Sequence, residues 1–262
     1  MINPNSLKDR VVLITGGTRG IGRAIAERLL ADGAAVAICG RRQDDVDTAV
    51  REMQSQPAGK VIGKAADVTK HEQVEALFRF IDEQFGGLDI LVNNAGIGVF
   101  RPLRDLTIEE WRATLDTNLS GTFHCSREAL FRFGNRKGGH IVNISSLAGK
   151  HAFAGGSAYN ASKFGLNGLT EAMMQELRSE DVRVSYVMPG SVATDFNAPR
   201  SAGFASHRSV SDSDPGQIGV SKSALDWRIW PEDVAEIVHL LLCMPARTLV
   251  SSVELRPSKP KK

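Results

Sequence analysis

Cysteine is scarce in this chain. Cys39, Cys125 and Cys243 are the only three in 262 residues, too few and too widely spaced for a disulfide framework or a metal-ligand cluster, and they suit a reducing cytoplasm. Long apolar runs are missing as well. Met1 to Arg10 holds none, and Val11 to Ile14 is far too short for a secretory core or a membrane span. Charge of one sign is nearly balanced at +2, which gives no electrostatic reason to expect nucleic acid, and the basic residues Lys259, Lys261 and Lys262 read as a solvated end. Aromatics make up 6%, beside 42% hydrophobic and 24% charged residues, an ordinary globular composition. His71, His124, His140, His207 and His239 share no metal-ligand spacing. With no internal repeat, low-complexity linker or composition break, residues 1–262 are expected to form one domain of a soluble, cytoplasmic protein without metal, membrane or nucleic-acid partners.

What is present is a regular alternation. Short β-branched runs at Val11–Thr15, Ala35–Cys39, Lys60–Ala65, Leu88–Val92, His140–Ile144, Val182–Val187 and Thr248–Glu254 read as strands. Amphipathic stretches near Ile21–Asp32, Gln43–Gln56, Lys70–Phe85, Thr107–Phe133, Ser157–Arg178 and Pro231–Met244 read as helices long enough for right-handed crossovers. The pattern predicts an α/β, doubly wound, Rossmann-type fold of three layers around a seven-stranded parallel sheet. Thr107 with Glu110 has capping-box spacing, and Pro231 followed by Glu232 and Asp233 suits a first helical turn. The irregular stretch Gly190–Ile229 follows the sixth strand at the carboxyl edge, where such sheets bind ligands; it is a candidate lid, or it hides short helices.

The first strand runs into Thr15, Gly16, Gly17, Thr18, Arg19, Gly20, Ile21 and Gly22, and then into an apolar-periodic helix. Glycines there let the backbone approach a pyrophosphate, and the helix N-terminus offers free N–H groups. At the end of the second strand, where a carboxylate would accept from a ribose 2′-hydroxyl, Gly40, Arg41 and Arg42 follow Cys39. A guanidinium there suits a 2′-phosphate, with Arg19 reaching the same anion, so the expected cofactor is NADP(H).

Tyr159 and Lys163 are four apart in the Ser157–Arg178 helix and share a face. An ammonium beside a phenol is expected to lower its pKa from about 10 toward working pH. Ser146, at the end of the fifth strand, supplies a second donor for a substrate oxygen, with Ser145 as the neighbouring candidate.

These motifs resemble the short-chain dehydrogenase/reductase family, in its smaller type, over residues from about 11 to 194. The family's glycine motif falls on Thr15, Gly16, Gly20 and Gly22, its adenine-contacting pair on Asp67 and Val68, and its Asn-Asn-Ala-Gly stretch on Asn93, Asn94, Ala95 and Gly96. Its catalytic positions fall on Asn118, Ser146, Tyr159 and Lys163, and its Pro-Gly element on Pro189 and Gly190, followed by Val192 and Thr194. The resemblance implies that Lys163 also bonds the nicotinamide ribose, that Asn118 holds a proton-relaying water, and that Thr194 contacts the carboxamide. Ser146 is preferred over Ser145 because it stands thirteen residues before the tyrosine, the family's separation, and because adjacent strand residues face opposite sides.

The implied activity is interconversion of a small carbonyl compound and its alcohol by an NADP(H)-dependent oxidoreductase, with Tyr159 as acid/base and a homodimer or homotetramer as the assembly. The chain is similar to β-ketoacyl-carrier-protein reductases but ends in Thr248–Pro257 and the basic tail, residues 256–262, where they have a glycine-rich segment, which puts an acyl-carrier substrate in doubt. His151, near the pocket, and the lid residues Phe196, Phe204 and Trp227 are candidate substrate contacts. The alternative class is a dinucleotide-binding sensor without turnover.

Overall fold

The computed structural model describes residues 7–55, 59–134, 138–197 and 227–259. In chain order the elements are β1 (Val11–Thr15), α1 (Gly20–Ala31), β2 (Ala35–Gly40), α2 (Gln43–Gln54), β3 (Val61–Ala65), α3 (His71–Phe85), β4 (Ile90–Asn93), α4 (Ile108–Leu115), α5 (Gly121–Phe133), β5 (Gly139–Ile144), α6 (Ser157–Glu176), β6 (Val182–Pro189), α7 (Pro231–Cys243) and β7 (Ser252–Leu255). The strands form one seven-stranded sheet in the order β3-β2-β1-β4-β5-β6-β7, and every neighbouring pair runs parallel.

The strands read as continuous apolar runs because both faces of the sheet are covered. Successive residues of β1 point to opposite sides. Val12 and Ile14 join Ile25, Leu29, Val46 and Val238, beneath α1, α2 and α7. Val11 and Leu13 join Leu77, Phe78, Phe133 and Met173, beneath α3, α5 and α6. The strand order reverses direction between β1 and β4, so the loops at their carboxyl ends diverge and leave a crevice, the usual ligand position of open α/β sheets. No helix among the described residues is long and apolar enough to cross a membrane.

Thr107 begins α4 as its spacing predicts: Glu110 N–H donates to Thr107 Oγ1 at 3.1 Å, and Thr107 N–H donates to Glu110 Oε2 at 3.1 Å. Trp230 N–H likewise donates to Asp233 Oδ2, at 2.8 Å, at the start of α7. The expected continuous helix Thr107–Phe133 is instead interrupted by a π-helical turn at Asp116–Ser120. The last strand starts at Ser252 and not at Thr248, because Thr248 N–H closes a turn on the Pro245 carbonyl at 2.8 Å.

Asp32, His239 and Cys243, which share no spacing that would associate them, meet between α1 and α7. His239 Nε2 lies 2.5 Å from Asp32 Oδ2, and Arg28 Nε donates to Glu236 Oε1 at 2.7 Å. These groups cross-tie the two helices. Of the expected lid, Gly190–Asn197 and Trp227–Ile229 are described, with Val192 bridged to Ile229. Phe204 and His207 lie outside the described residues, as do Lys261 and Lys262.

Candidate active site

Two loops build the crevice floor. Gly16 and Gly20 have φ values of +65° and +55°, a region that side chains strain to occupy. A Cβ on Gly22 would lie 2.3 Å from Asn94 Nδ2 and 2.5 Å from the Gly16 carbonyl, so this position accepts only a hydrogen. Asn94 laces the turn down: its Nδ2 donates to the carbonyls of Thr15 at 3.0 Å and Gly16 at 3.1 Å. The buried Thr15 Oγ1 in return accepts from the N–H groups of Asn94 and Ala95, both at 3.0 Å. α1 begins without a side-chain cap and without an acidic residue in its first turn, which leaves its N–H groups and the positive end of its dipole for an anion. This tight bare-backbone cradle fits the pyrophosphate of a dinucleotide.

Around the cradle stand the other predicted binding residues. Gly17 N–H donates to the Cys39 carbonyl at 3.1 Å, so the end of β2 sits beside the turn. Arg19, Arg41 and Arg42 are all exposed there, and Arg42 Nε lies 3.5 Å from Asp45 Oδ2. Asp67 holds the loop after β3 by accepting at Oδ1 from Thr69 N–H at 3.0 Å and Thr69 Oγ1 at 2.9 Å. Val68 is buried, and a Cβ on Gly121 would lie 2.6 Å from its Cγ2. On the far side, Thr194 follows Pro189, Gly190 and Val192 and reaches the glycine turn: a Cβ on Gly20 would lie 3.4 Å from the Thr194 methyl. The loops after β1, β4 and β6 thus meet over one crevice.

Tyr159, Lys163 and Ser146 come together at its edge. Ser146 hydrogen-bonds the Tyr159 phenol, while the Ser146 Oγ accepts from Ala148 N–H at 3.1 Å. Ser145 points elsewhere, donating from Oγ to Asn167 Oδ1 at 2.5 Å, so the strand's alternation separates the two serines as expected. Lys163 is 6% exposed. Its Nζ donates to the Ile144 carbonyl at 2.9 Å and lies 5.8 Å from the centre of the Tyr159 ring. Burial pushes the lysine down to about 8.

The phenol departs from expectation. Burial raises its pKa, and the Ser146 hydrogen bond offsets only part of that rise. The cause is desolvation of the phenolate, while the Lys163 ammonium is directed at a main-chain carbonyl. Tyr159 is therefore held in its protonated form.

Asn118 lies in the π-helical turn, a kind of turn frequent at functional sites. Its Oδ1 accepts from Ile97 N–H at 2.8 Å, and its Nδ2 donates to the Ile97 carbonyl and to Ser162 Oγ, both at 2.9 Å. Both amide hydrogens are committed, so the side chain pins the loop after β4 to α6 and has no N–H left to offer a water. Ser162, which the sequence reading missed, continues the chain by donating to the Tyr159 carbonyl at 2.7 Å. Its position one helical turn beyond Tyr159 was the available signal.

Phenylalanines crowd the phenol. Phe100 meets Tyr159 edge-on with ring centres 5.4 Å apart, Phe196 lies at 5.9 Å, and Phe153 packs on Phe100 at 5.8 Å. Phe100 and Phe153 were not singled out in the sequence, because loop residues carry no periodic pattern. His151 is exposed and pairs through Nε2 with Arg256 at 3.1 Å.

Residues 10–203 match the family described as short chain dehydrogenase. The chain is 39% identical over 193 residues to a 3alpha-hydroxysteroid dehydrogenase of Mediterraneibacter gnavus, covering 73% of this chain and 77% of the relative. Among solved structures it is similar to a metagenomic short-chain oxidoreductase in complex with NADP, with 34% identity and a TM-score of 0.78 over 97% of this chain and 100% of the other. It is also similar to an alcohol dehydrogenase from the archaeon Thermococcus sibiricus complexed with 5-hydroxy-NADP, with 28% identity and a TM-score of 0.82 over 97% and 99%.

Proposed function

Because the chain belongs to the short-chain dehydrogenase family and is thereby an oxidoreductase of small molecules, we propose that it is an NADP(H)-dependent reductase of ketones, with Tyr159 as the proton donor. The observation that carries this reading is the contact of Ser146 with the Tyr159 phenol, one helical turn before buried Lys163.

NADP(H), when bound, supplies or takes up the hydride. Gly16, Thr18, Gly20, Ile21 and Gly22 and the start of α1 hold its pyrophosphate, and Arg19, Arg41 and Arg42 hold its 2′-phosphate. Asp67 and Val68 flank the adenine, Asn94, Ala95 and Gly96 line the crevice, and Val192 and Thr194, after Pro189 and Gly190, orient the nicotinamide end. Ser146 Oγ and Tyr159 Oη hold the substrate oxygen, and Tyr159 Oη gives it a proton. The Lys163 ammonium stabilises the phenolate left behind. A phenol raised by burial is in the protonated form at neutral pH, the form that carbonyl reduction requires.

Residues 1–262 act as one catalytic domain in this reading, with Phe196 of the described part of 190–229 beside the phenol. The relative's hydroxysteroid chemistry makes a cyclic ketone or secondary alcohol a first candidate substrate. Support for an oligomer comes from exposed Phe123 and Phe131 on α5 and Phe164 on α6, 47% to 61% accessible on one side of the sheet, an apolar surface that a second copy would cover.

The test is NADPH consumption across aldehydes, open-chain ketones, cyclic ketones and β-keto thioesters. Turnover of at least one carbonyl class is expected. NADPH binding without oxidation of any of them would leave a dinucleotide-binding sensor in its place.

A further inference from the structure

Phe100, Phe153 and Phe196 come from three different loops, after β4, β5 and β6, yet their rings form one chain with Tyr159: Phe153 on Phe100, Phe100 on the phenol, the phenol on Phe196. All three stay open to solvent, at 38%, 47% and 38% of their full surface for Phe100, Phe153 and Phe196. A contiguous exposed aromatic surface is costly in water and marks a place where an apolar partner sits.

The surface is held in place. Arg101 N–H donates to the Gly155 carbonyl at 2.7 Å, tying the loop of Phe100 to that of Phe153. Arg101 is anchored in turn by its 2.7 Å ion pair with buried Glu110. Asn160 Nδ2 donates to the Phe153 carbonyl at 3.1 Å. A Cβ on Gly98 would lie 2.7 Å from Phe196 and 2.8 Å from Phe100, so the bare glycine lets these two rings converge.

Charges of both signs surround it: on the two tied loops Arg101 pairs with Glu110 and Lys150 with Glu254, while Arg104 is exposed. Arg256, beside His151, also pairs with Glu254. The residue next to Phe196 is the exposed carboxylate Asp195. This edge has a surface for a ring.

We infer that Phe100, Phe153 and Phe196 form a specificity wall that selects ring-bearing ketones or alcohols over small carbonyl compounds. The inference rests on the reductase reading of the same site. Ring faces and edges stack against an alicyclic or aromatic skeleton, whose carbonyl oxygen then lies at the Ser146 and Tyr159 hydroxyls.

The experiment compares wild type with Phe153→Ala and Phe153→Leu. It measures NADPH-dependent kcat/KM for a decalone, for acetone and for acetoacetate, and the binding of the decalone to the NADP-loaded protein by calorimetry. Wild type should prefer the decalone, and Phe153→Ala should lower the ratio of decalone to acetone by about tenfold or more, with Phe153→Leu restoring part of it. Turnover without ring preference, or a ratio unmoved by Phe153→Ala, overturns the wall and leaves the reductase standing. Decalone binding that Phe153→Ala weakens, with no carbonyl turned over, supports the wall and removes the reductase reading. Absence of both binding and turnover overturns both.

Discussion

At the scale of single residues, the site turns on the competition between burial and charge. Lys163 is pushed down to about 8 by burial, so the ammonium proposed to steady the phenolate exists below that pH and disappears above it. The rate of ketone reduction should therefore hold through neutral pH and decline as the pH rises through about 8, as read by a kcat profile. Lys163→Arg should move that decline to higher pH. A second outcome concerns the cofactor: Arg41→Ala combined with Arg42→Ala should raise the KM for NADPH about tenfold or more while changing that for NADH little, because only the former carries the 2′-phosphate. Tyr159, Lys163 and Ser146 were legible because their chemistry imposes spacing on a helix and a strand end. The direction of the phenol's shift was not, since spacing does not reveal where an ammonium points or how much water a hydroxyl loses. Nor were Phe100 and Phe153, whose meeting depends on the bond between Arg101 and Gly155.

At the scale of elements, the alternation of strands and helices was readable because a parallel sheet buried on both faces needs apolar strands and amphipathic crossovers. The π-helical turn was not, because one extra residue in a helical ladder shifts the apolar period without the mark of a proline. It places Asn118 against Ile97 and Ser162 and so joins β4 to α6. The strand register has its own pH dependence. His140 on β5 is 3% exposed, and its ring bonds Ser185 Oγ on β6 at 3.1 Å. Burial, reinforced by Arg183 and Arg10, lowers its pKa from 6.5 to about 3. The unfolded chain thus binds a proton between those values that the folded chain refuses. Stability is full above about 6.5 and falls as the pH drops toward about 3, by on the order of a few kcal/mol from this group. Urea unfolding at a series of pH values should show that slope, and His140→Gln should flatten it.

At the scale of the whole molecule, the strand order made the place of the crevice and of the candidate site predictable. Thr15, Asn93, Ile144 and Pro189 all close strands at one edge of the sheet, so the glycine turn, Asn94, Ser146 and Thr194 gather there although they are far apart in sequence. The exposed Phe131 and Phe123 on α5 belong to the same scale: sedimentation should show a dimer or larger, and Phe131→Glu should shift it toward monomer. The central claim, that the Tyr159 hydroxyl delivers the proton beside the bound dinucleotide, is tested most directly by Tyr159→Phe in a stopped-flow assay of NADPH oxidation, with NADPH affinity measured in parallel. Turnover should fall about 100-fold or more while affinity changes by less than about threefold. Oxidation at the wild-type rate would contradict the assignment.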